Sequence, residues 1–520
     1  MFHFMKTKFR LAYEAIKKIQ SVQGISAQAV EACFIGMSVF FVSFGISLLT
    51  PPFQSPDEFA HFQRAYFLSQ GDTNLIVRNG VVGAQIDPAY LKYQGYFKGI
   101  PHHTEKGISA SKVKMSKDLQ WSNERIFMPH FSTTPYMFAV YLPQALAIKI
   151  GQSLNLSIDT TYKLARLTLL FAITLCLAKA FVITQPGLLT LSLLFMPMTL
   201  FQFGSATIDG LSIALSILIV SIFSRSTKSN ESVSKIDFAI MVMAILTVST
   251  SRLYMLPLVL LPIFVVMKSR DKSEMLILGL GISVVIWWLG FGWIHSSMTQ
   301  EQFEQSRIET LTFYLRQPFQ LLEIFSDTLI RLSGFYVDGF IGILGWLDTR
   351  FSRYFYQAST FFLFAAFILS FSLKQVRENV PFSATLILVS VASCALVFVA
   401  MLVSAHSHPV TVIPGVQGRY FMIPAIMFSY AISGSIRSDN AMKSLASVSL
   451  LLLWVVFVCL FTIPLLRDRY SLSADDLFPS RLILSHANPT PVHLHHLYTS
   501  GDQQFHPEHT RGVTRSLNPI

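Results

Sequence analysis

The sequence predicts an all-α integral membrane protein: about eleven transmembrane helices, large loops on the external face and a juxtamembrane helix. Three observations predict it. Of the 520 residues 52% are hydrophobic and only 13% are charged, and apolar runs of bilayer-crossing length recur along the chain. A formal charge of +11 would suggest nucleic acid in a soluble chain. On a polytopic membrane protein basic residues report topology instead, so no nucleic-acid partner is expected and the lipid bilayer is the surrounding medium. Cys33, Cys176, Cys394 and Cys459 all lie in apolar segments. That placement argues for packed thiols and against a disulfide framework or zinc site.

Residues 1–28, opening "MFHFMKTKFRLAYEAIKKIQ", are basic and amphipathic and read as a cytoplasmic foot with no cleavable signal. The polytopic domain covers 29–466. Its apolar runs lie near 29–50, 161–183, 186–203, 208–223, 274–295, 356–373, 381–404, 419–436 and 444–466, and the interval 237–267 holds two short spans broken around "STSRLY". Segment 135–151 is ambiguous. The basic linkers at 225–235, 268–272, 374–379 and 437–443 decide it, because all four fall on the cytoplasmic side only if 135–151 does not cross fully. The N-terminus is then cytoplasmic, segments 51–160, 296–355 and 405–418 are external, and so is the His-containing tail, 467–520. No internal repeat is visible.

The first external segment begins "PPFQSPDEFAHFQRAYFLSQG". Pro51 and Pro52 stop the first span, and a helix starting at Asp57 is expected along the membrane surface. Asp57, His61 and Arg64 are spaced to share one of its faces. Asp57 and Glu58 read either as a general base or cation ligand, or as acids capping a helix start. His61 and Arg64 are either polar residues on the wet side or contacts to a phosphate, for which the Arg fork is suited. Asp209, in "SATIDG", is a helix cap or an intramembrane functional carboxylate. In "GFIGILGWLDTRFS" Trp346 suits an interfacial anchor, and Asp348 and Arg350 a wet turn. Arg419, in "VQGRYFMIP", places a cation at an external helix start. This opposes both the helix dipole and the charge rule, so an anion, a lipid phosphate or Asp57, should compensate it. Arg252 raises the same question. The tail's "HLHH" (493–496) is a weak metal motif, and there is no Walker A loop, GxGxxG, GxSxG or HExxH.

Together "PPFQSPDEFAHFQRAYFLSQG", "GWLDT" and "VQGRYFMIP" resemble a bacterial membrane-protein family, domain of unknown function 2142, over roughly residues 30–465. That family in turn is similar to the GT-C class of membrane glycosyltransferases. The resemblance implies a GT-C-like fold in the bacterial cytoplasmic (inner) membrane. It implies a polyprenyl-phosphate-linked sugar as donor and an envelope glycan or lipid-linked acceptor, with one-step inverting transfer on the external face. It makes Asp57, or its neighbour Glu58, the catalytic acid of the first external loop, with Asp209 a looser match to a second. "TTPYMF" (133–138) partly matches a late first-loop motif. Arg419, with Arg64, Arg252 and His61, would hold the phosphate. Asp57 and Asp209 would hold a divalent cation, Mg or Mn, if the reaction uses one. A transporter or flippase of lipid-linked glycans, or a non-catalytic envelope-assembly protein, stays open as an alternative.

Overall fold

The computed structural model describes residues 26–471 except 74–75, 79–80, 106, 131–132, 134–135, 229–232, 298–306, 405–407 and 437–440. All lie in the first of the chain's two units, residues 1–480; the second, 481–520, is outside the described residues. So are most of the basic foot and the "HLHH" tail.

Helix α1 (Ala27–Leu49) ends at Pro51, and α2 (Glu58–Ser69) follows after a short turn. Strands β1 (Ile76–Arg78) and β2 (Val81–Ile86) lead to α3 (Pro88–Phe97), α4 (Ala110–Lys117), β3 (Ile126–Pro129) and α5 (Leu142–Ser153). The antiparallel sheet β1-β2-β3 is a departure from the all-helical expectation. Val82, Ala84 and Ile86, every second residue of β2, are buried, which suits a strand with one face on a core. Helix α5, the ambiguous segment, has 12 residues. At about 18 Å it is too short for a hydrocarbon layer of about 30 Å.

Next come α6 (Ile158–Ile183), α7 (Leu188–Leu194), α8 (Pro197–Phe203), α9 (Asp209–Lys228), α10 (Lys235–Ser251), α11 (Leu260–Ser269) and α12 (Lys272–Ser297). The run expected as one span over 186–203 is two buried half-helices, because Pro197 denies the ladder a donor and starts α8. The break expected around "STSRLY" falls at Arg252, followed by a 3-10 stretch, Leu253–Val259. Helices α13 (Arg307–Arg316) and α14 (Pro318–Gly342) and the hairpin β4–β5 (Ile343–Leu344, Thr349–Arg350) fill the second large loop. Then follow α15 (Arg353–Ser370), α16 (Leu373–Glu378), α17 (Val380–Ser404), α18 (Met422–Ile432) and α19 (Ala441–Arg469).

Six of these, α1, α6, α9, α12, α17 and α19, are long and apolar enough to cross a bilayer. All but the largely buried α9 have apolar outward faces too: Phe34, Phe171, Trp287, Leu388 and Leu453 are all exposed. In a soluble protein that would be a liability; here it is a lipid-facing surface.

Cross-chain bonds sort the loops into two ends. At one, the Lys268 ammonium donates to the Ser226 carbonyl at 3.0 Å, Gln375 to the Tyr430 carbonyl at 3.4 Å, and Ile436 N–H to Pro186 at 3.4 Å. These contacts gather three of the four basic linkers. At the other end, Trp346 donates its indole N–H to the Phe53 carbonyl at 2.9 Å, and Arg469 binds Asp348 at 3.1 Å. The PPFQSPDE turn, the GWLD hairpin and the last helix meet there. Asp348, expected beside Arg350, is instead clamped by Arg469 and by the His102 N–H at 2.9 Å, while Arg350 faces Asp338 at 3.7 Å.

Candidate functional site

The turn between α1 and α2 is held from every side. Phe53 adopts φ 64°, a left-handed conformation rarely taken by a bulky side chain. Its ring is caged by Phe62, Tyr90, Tyr93 and Tyr162, and its N–H accepts no freedom either, donating to the Tyr162 hydroxyl at 3.0 Å. Such conformations cost about 1–3 kcal/mol and persist only where the surroundings dictate them.

The two adjacent acids have opposite environments. Glu58 is fully buried and both its oxygens are occupied. Arg166 of α6 donates to them through Nε and Nη2 at 3.0 Å each, and the Ala206 and Ser55 N–H groups donate at 2.7 and 3.2 Å. Arg166 also donates to the carbonyls of Thr50 at 2.7 Å and Pro51 at 3.0 Å. Glu58 therefore pins the turn to α6 and to the turn between α8 and α9, and offers no lone pair to a substrate. Asp57 precedes the helix instead of beginning it. It sits at φ 63°, makes no capping bond, and its side chain is 54% exposed. The expected common face of Asp57, His61 and Arg64 does not exist, because Asp57 is outside the helical register.

What Asp57 does touch is Arg419, at 3.2 Å, 362 residues further along the chain. Arg419 Nε lies 3.7 Å from Asp209, which is also paired with Arg252. Asp57, Arg419, Asp209 and Arg252 thus form a chain of alternating charge at the GWLD end of the bundle. Tyr254 and Tyr420 flank it, with ring centroids 5.8 Å apart and each beside its neighbouring guanidinium. Behind Arg419 is a narrow recess lined by Thr199, Gln202, Asp209, Arg252 and Tyr254. Arg419 itself is buried, yet among the described residues its Nε and Nη1 have no hydrogen-bond partner, and neither has Arg252 Nε.

Gly418 explains how Arg419 gets there. A Cβ at this position would collide with the backbone of Phe340 and Tyr336 on α14. Only glycine lets the chain lie directly on that helix. Gly418→Ala is expected to push Arg419 off Asp57 and lower the thermal midpoint of the purified protein by several degrees; an unchanged midpoint would show that α14 yields instead.

His61 and Arg64 are placed differently from one another. His61 Nδ1 is 2.9 Å from the Tyr141 hydroxyl, and its ring stacks on Tyr136 at 6.1 Å. Burial, reinforced by the Arg252 and Arg419 charges, pushes its pKa down to about 3. The imidazole is neutral at physiological pH. Arg64 turns to the carbonyls of Asp72 at 3.3 Å and Thr73 at 2.7 Å, closing the loop after α2. His130, hydrogen-bonded to Gln63 and Thr133, is likewise held down to about 3 by burial, then by Arg64 and His61. Both histidines have folded pKa values below their unfolded value of 6.5. Their contribution to stability is complete above pH 6.5 and is lost as pH falls toward 3, at up to about 1.4 kcal/mol per unit for each. Thermal midpoints measured between pH 7 and pH 5 should therefore fall less in a His61→Gln, His130→Gln variant than in the wild type.

The donor set does not suit a resident Mg or Mn ion. Hard cations take six or more oxygen ligands, whereas Asp57 and Asp209 are interleaved with two guanidinium groups. Among the described residues no group of three His, Cys, Asp or Glu side chains could hold a metal.

Arg166, Tyr254 and Tyr420 are site residues that the sequence reading did not single out. Arg166 had a partial signal: it is the middle one of three cations, with Lys163 and Lys179, in the apolar run 161–183, where a charge demands an anion. The tyrosines had none. No curated protein and no solved structure matches the chain. A family model described as a predicted membrane protein matches residues 40–428, which include α2, the Asp209 turn, the GWLD hairpin and Arg419. With that match over most of its length, the chain belongs to the DUF2142 family of predicted membrane proteins.

Proposed function

We propose that this protein is a glycosyltransferase of the GT-C type, taking a sugar from a polyprenyl-phosphate carrier and passing it to a cell-envelope acceptor at the outer face of the inner membrane. The observation that carries this reading is the pairing of a half-exposed carboxylate, Asp57, with a buried guanidinium, Arg419, whose Nη1 makes no hydrogen bond among the described residues and whose Nε has only the long 3.7 Å ion pair to Asp209. Buried donors without partners are costly, and an arriving phosphate would satisfy them. The transfer needs these two functions. One carboxylate takes the acceptor hydroxyl's proton, and fixed positive charge holds the phosphate as it leaves. Arg419 and Arg252 stabilise that phosphate. A phosphate oxygen engaging Arg419 competes with the 3.2 Å contact to Asp57 and releases the carboxylate for the hydroxyl. Neutral His61 serves as a hydrogen-bonding wall, and direct displacement inverts the anomeric centre. Glu58 and Arg64 are assigned to holding the turn and the loop, not to substrate.

Under this reading eleven segments cross the membrane. The six long helices are joined by the α7–α8 pair, α10, the Leu253–Ser269 segment, α15 and α18, with α5 dipping only partway. The basic linkers then face the cytoplasm and the Asp57 cluster the exterior.

A second reading, transport of a lipid-linked glycan, is favoured by one feature: the central α7–α8 segment is discontinuous and has a recess at each end. The far one is lined by Gln185, Thr190 and Ser433. The two readings separate in cells carrying Asp57→Asn. A failed transferase leaves surface glycan lacking one sugar, by mass and linkage analysis. A failed transporter leaves complete lipid-linked glycan on the cytoplasmic leaflet.

A further inference from the structure

At the end of the bundle where the basic linkers gather, α7 begins beside a recess of about 240 Å³. Water occupies about 30 Å³ per molecule, so the space equals about eight waters, room for one molecule the size of a monosaccharide. The hydroxyls of Thr184, Thr190, Ser224 and Ser433 and the amides of Gln185 and Gln375 line it, and Tyr430 is its aromatic side chain. Among the described residues of the lining there is no Asp, Glu, Lys, Arg or His, and no Val, Leu, Ile, Met or Phe. The chain as a whole is 52% hydrophobic, so an uncharged wall made of hydroxyls and amides stands apart from its composition.

The walls are fixed before anything binds. A Cβ on Gly187 would meet the Gly434 carbonyl oxygen at 2.7 Å and the Ser433 Cβ at 2.8 Å. Glycine thus lets the chain entering α7 lie directly against the chain leaving α18. The Gly434 N–H donates to the Ser370 carbonyl at 3.4 Å, and the Ser372 N–H to the Ile432 carbonyl at 3.1 Å. Gln185 is held between Glu31 at 3.3 Å and Ser435 at 3.0 Å, and the Gln375 amide N–H donates to the Tyr430 carbonyl at 3.4 Å. Polar groups placed in advance spare a ligand the cost of ordering them. Some of them are also unspent. Ser433 is buried, and its Oγ has no hydrogen-bond partner among the described residues. Gln375 Oε1 accepts no hydrogen bond from them either.

We infer that this recess binds a neutral, hydroxyl-rich ligand of monosaccharide size, a free sugar or the sugar headgroup of an uncharged glycolipid. The lining excludes the other classes. An ionised ligand would leave water with no opposite charge to receive it. Hydrocarbon would leave the hydroxyls and amides without partners. A bare hard cation needs six or more oxygens closed tightly around it, a cage much smaller than this recess. The site is at the opposite end of the bundle from Asp57, so it does not rest on the transferase reading.

The test uses the full chain in phosphatidylcholine nanodiscs and ligand-observed saturation-transfer NMR. Glucose, galactose, mannose and myo-inositol are compared with glucuronate and glucosamine, charged molecules of similar size. At least one neutral compound should bind, about tenfold or more tighter than either charged one. Ser224→Ala and Gln375→Leu should each weaken that binding about threefold to tenfold, the worth of one hydrogen bond. Thr385→Val, on α17 outside the recess, should leave it unchanged, and thermal midpoints show whether each variant is folded. The source of the sugar is read by adding an uncharged glucosyl-diacylglycerol to the nanodiscs. Displacement of the bound sugar identifies a glycolipid headgroup, and no displacement a free sugar. The inference is overturned if none of the four neutral compounds binds, if the charged ones bind as well, or if Thr385→Val acts like the recess variants. A protein that binds the sugar but transfers none would refute the transferase reading alone.

Discussion

Glu58→Gln is expected to deplete the membrane of folded protein, while the same change at the preceding residue leaves its level unaltered. The Glu58 carboxylate is buried and accepts four hydrogen bonds, two of them from Arg166. An amide can accept on only one of its two heavy atoms. Its NH2 group would face the N–H of Ala206 or Ser55, donor against donor, and Arg166 would keep its charge in a dry site. Breaking a buried pair from one side costs about 3–5 kcal/mol, a large part of a typical stability. Quantifying protein in membranes, and its thermal midpoint in detergent, checks this. Arg166→Gln should do the same damage. A Glu58→Gln, Arg166→Leu pair should recover part of the loss, because no buried charge is then left alone. Normal levels of Glu58→Gln would mean that Glu58 is not the pin of the turn.

Asp57→Asn is expected to reduce sugar transfer by about 10²–10⁴-fold, the usual worth of a general base. It is a clean substitution for a backbone reason. Asn is among the few residues that accept φ near 63° readily, so the turn keeps its shape. The side chain also caps nothing, so no helix start is lost. Wild-type and variant protein, matched for membrane level, would be compared in cells and with a polyprenyl-phosphate sugar in vitro. Arg419→Lys should also lower transfer, since an ammonium cannot reproduce the fork that reaches both Asp57 and Asp209. Full transfer by Asp57→Asn would sink the transferase mechanism and advance the transport reading.

The membrane character and the rough positions of the long helices were legible in the sequence because they depend on local composition. A run of about 20 apolar residues is a helix in lipid whatever surrounds it. Prolines 51 and 52 likewise announced the end of α1. The half-helices α7 and α8 were less legible, since the apolar run continues through Pro197 and hides the break. The three-stranded sheet was missed because strands as short as Ile76–Arg78 carry little signal of their own.

For the site, sequence alone determined that Asp57, Glu58, Asp209, Arg252 and Arg419 are charges in or beside apolar segments, where charge is expensive and needs a partner. It also suggested Asp57 as one partner for Arg419. Only the tertiary structure decided which acid is which. Asp57 and Glu58 are adjacent and chemically alike, and a helical wheel puts them about 100° apart at most. The left-handed turn at Asp57 and the arrival of Arg166 from α6 send one carboxylate out toward Arg419 and lock the other inside. Hydropathy is a sum over neighbours in the chain, whereas an ion pair is set by neighbours in space. The 362 residues between Asp57 and Arg419 are the measure of that difference.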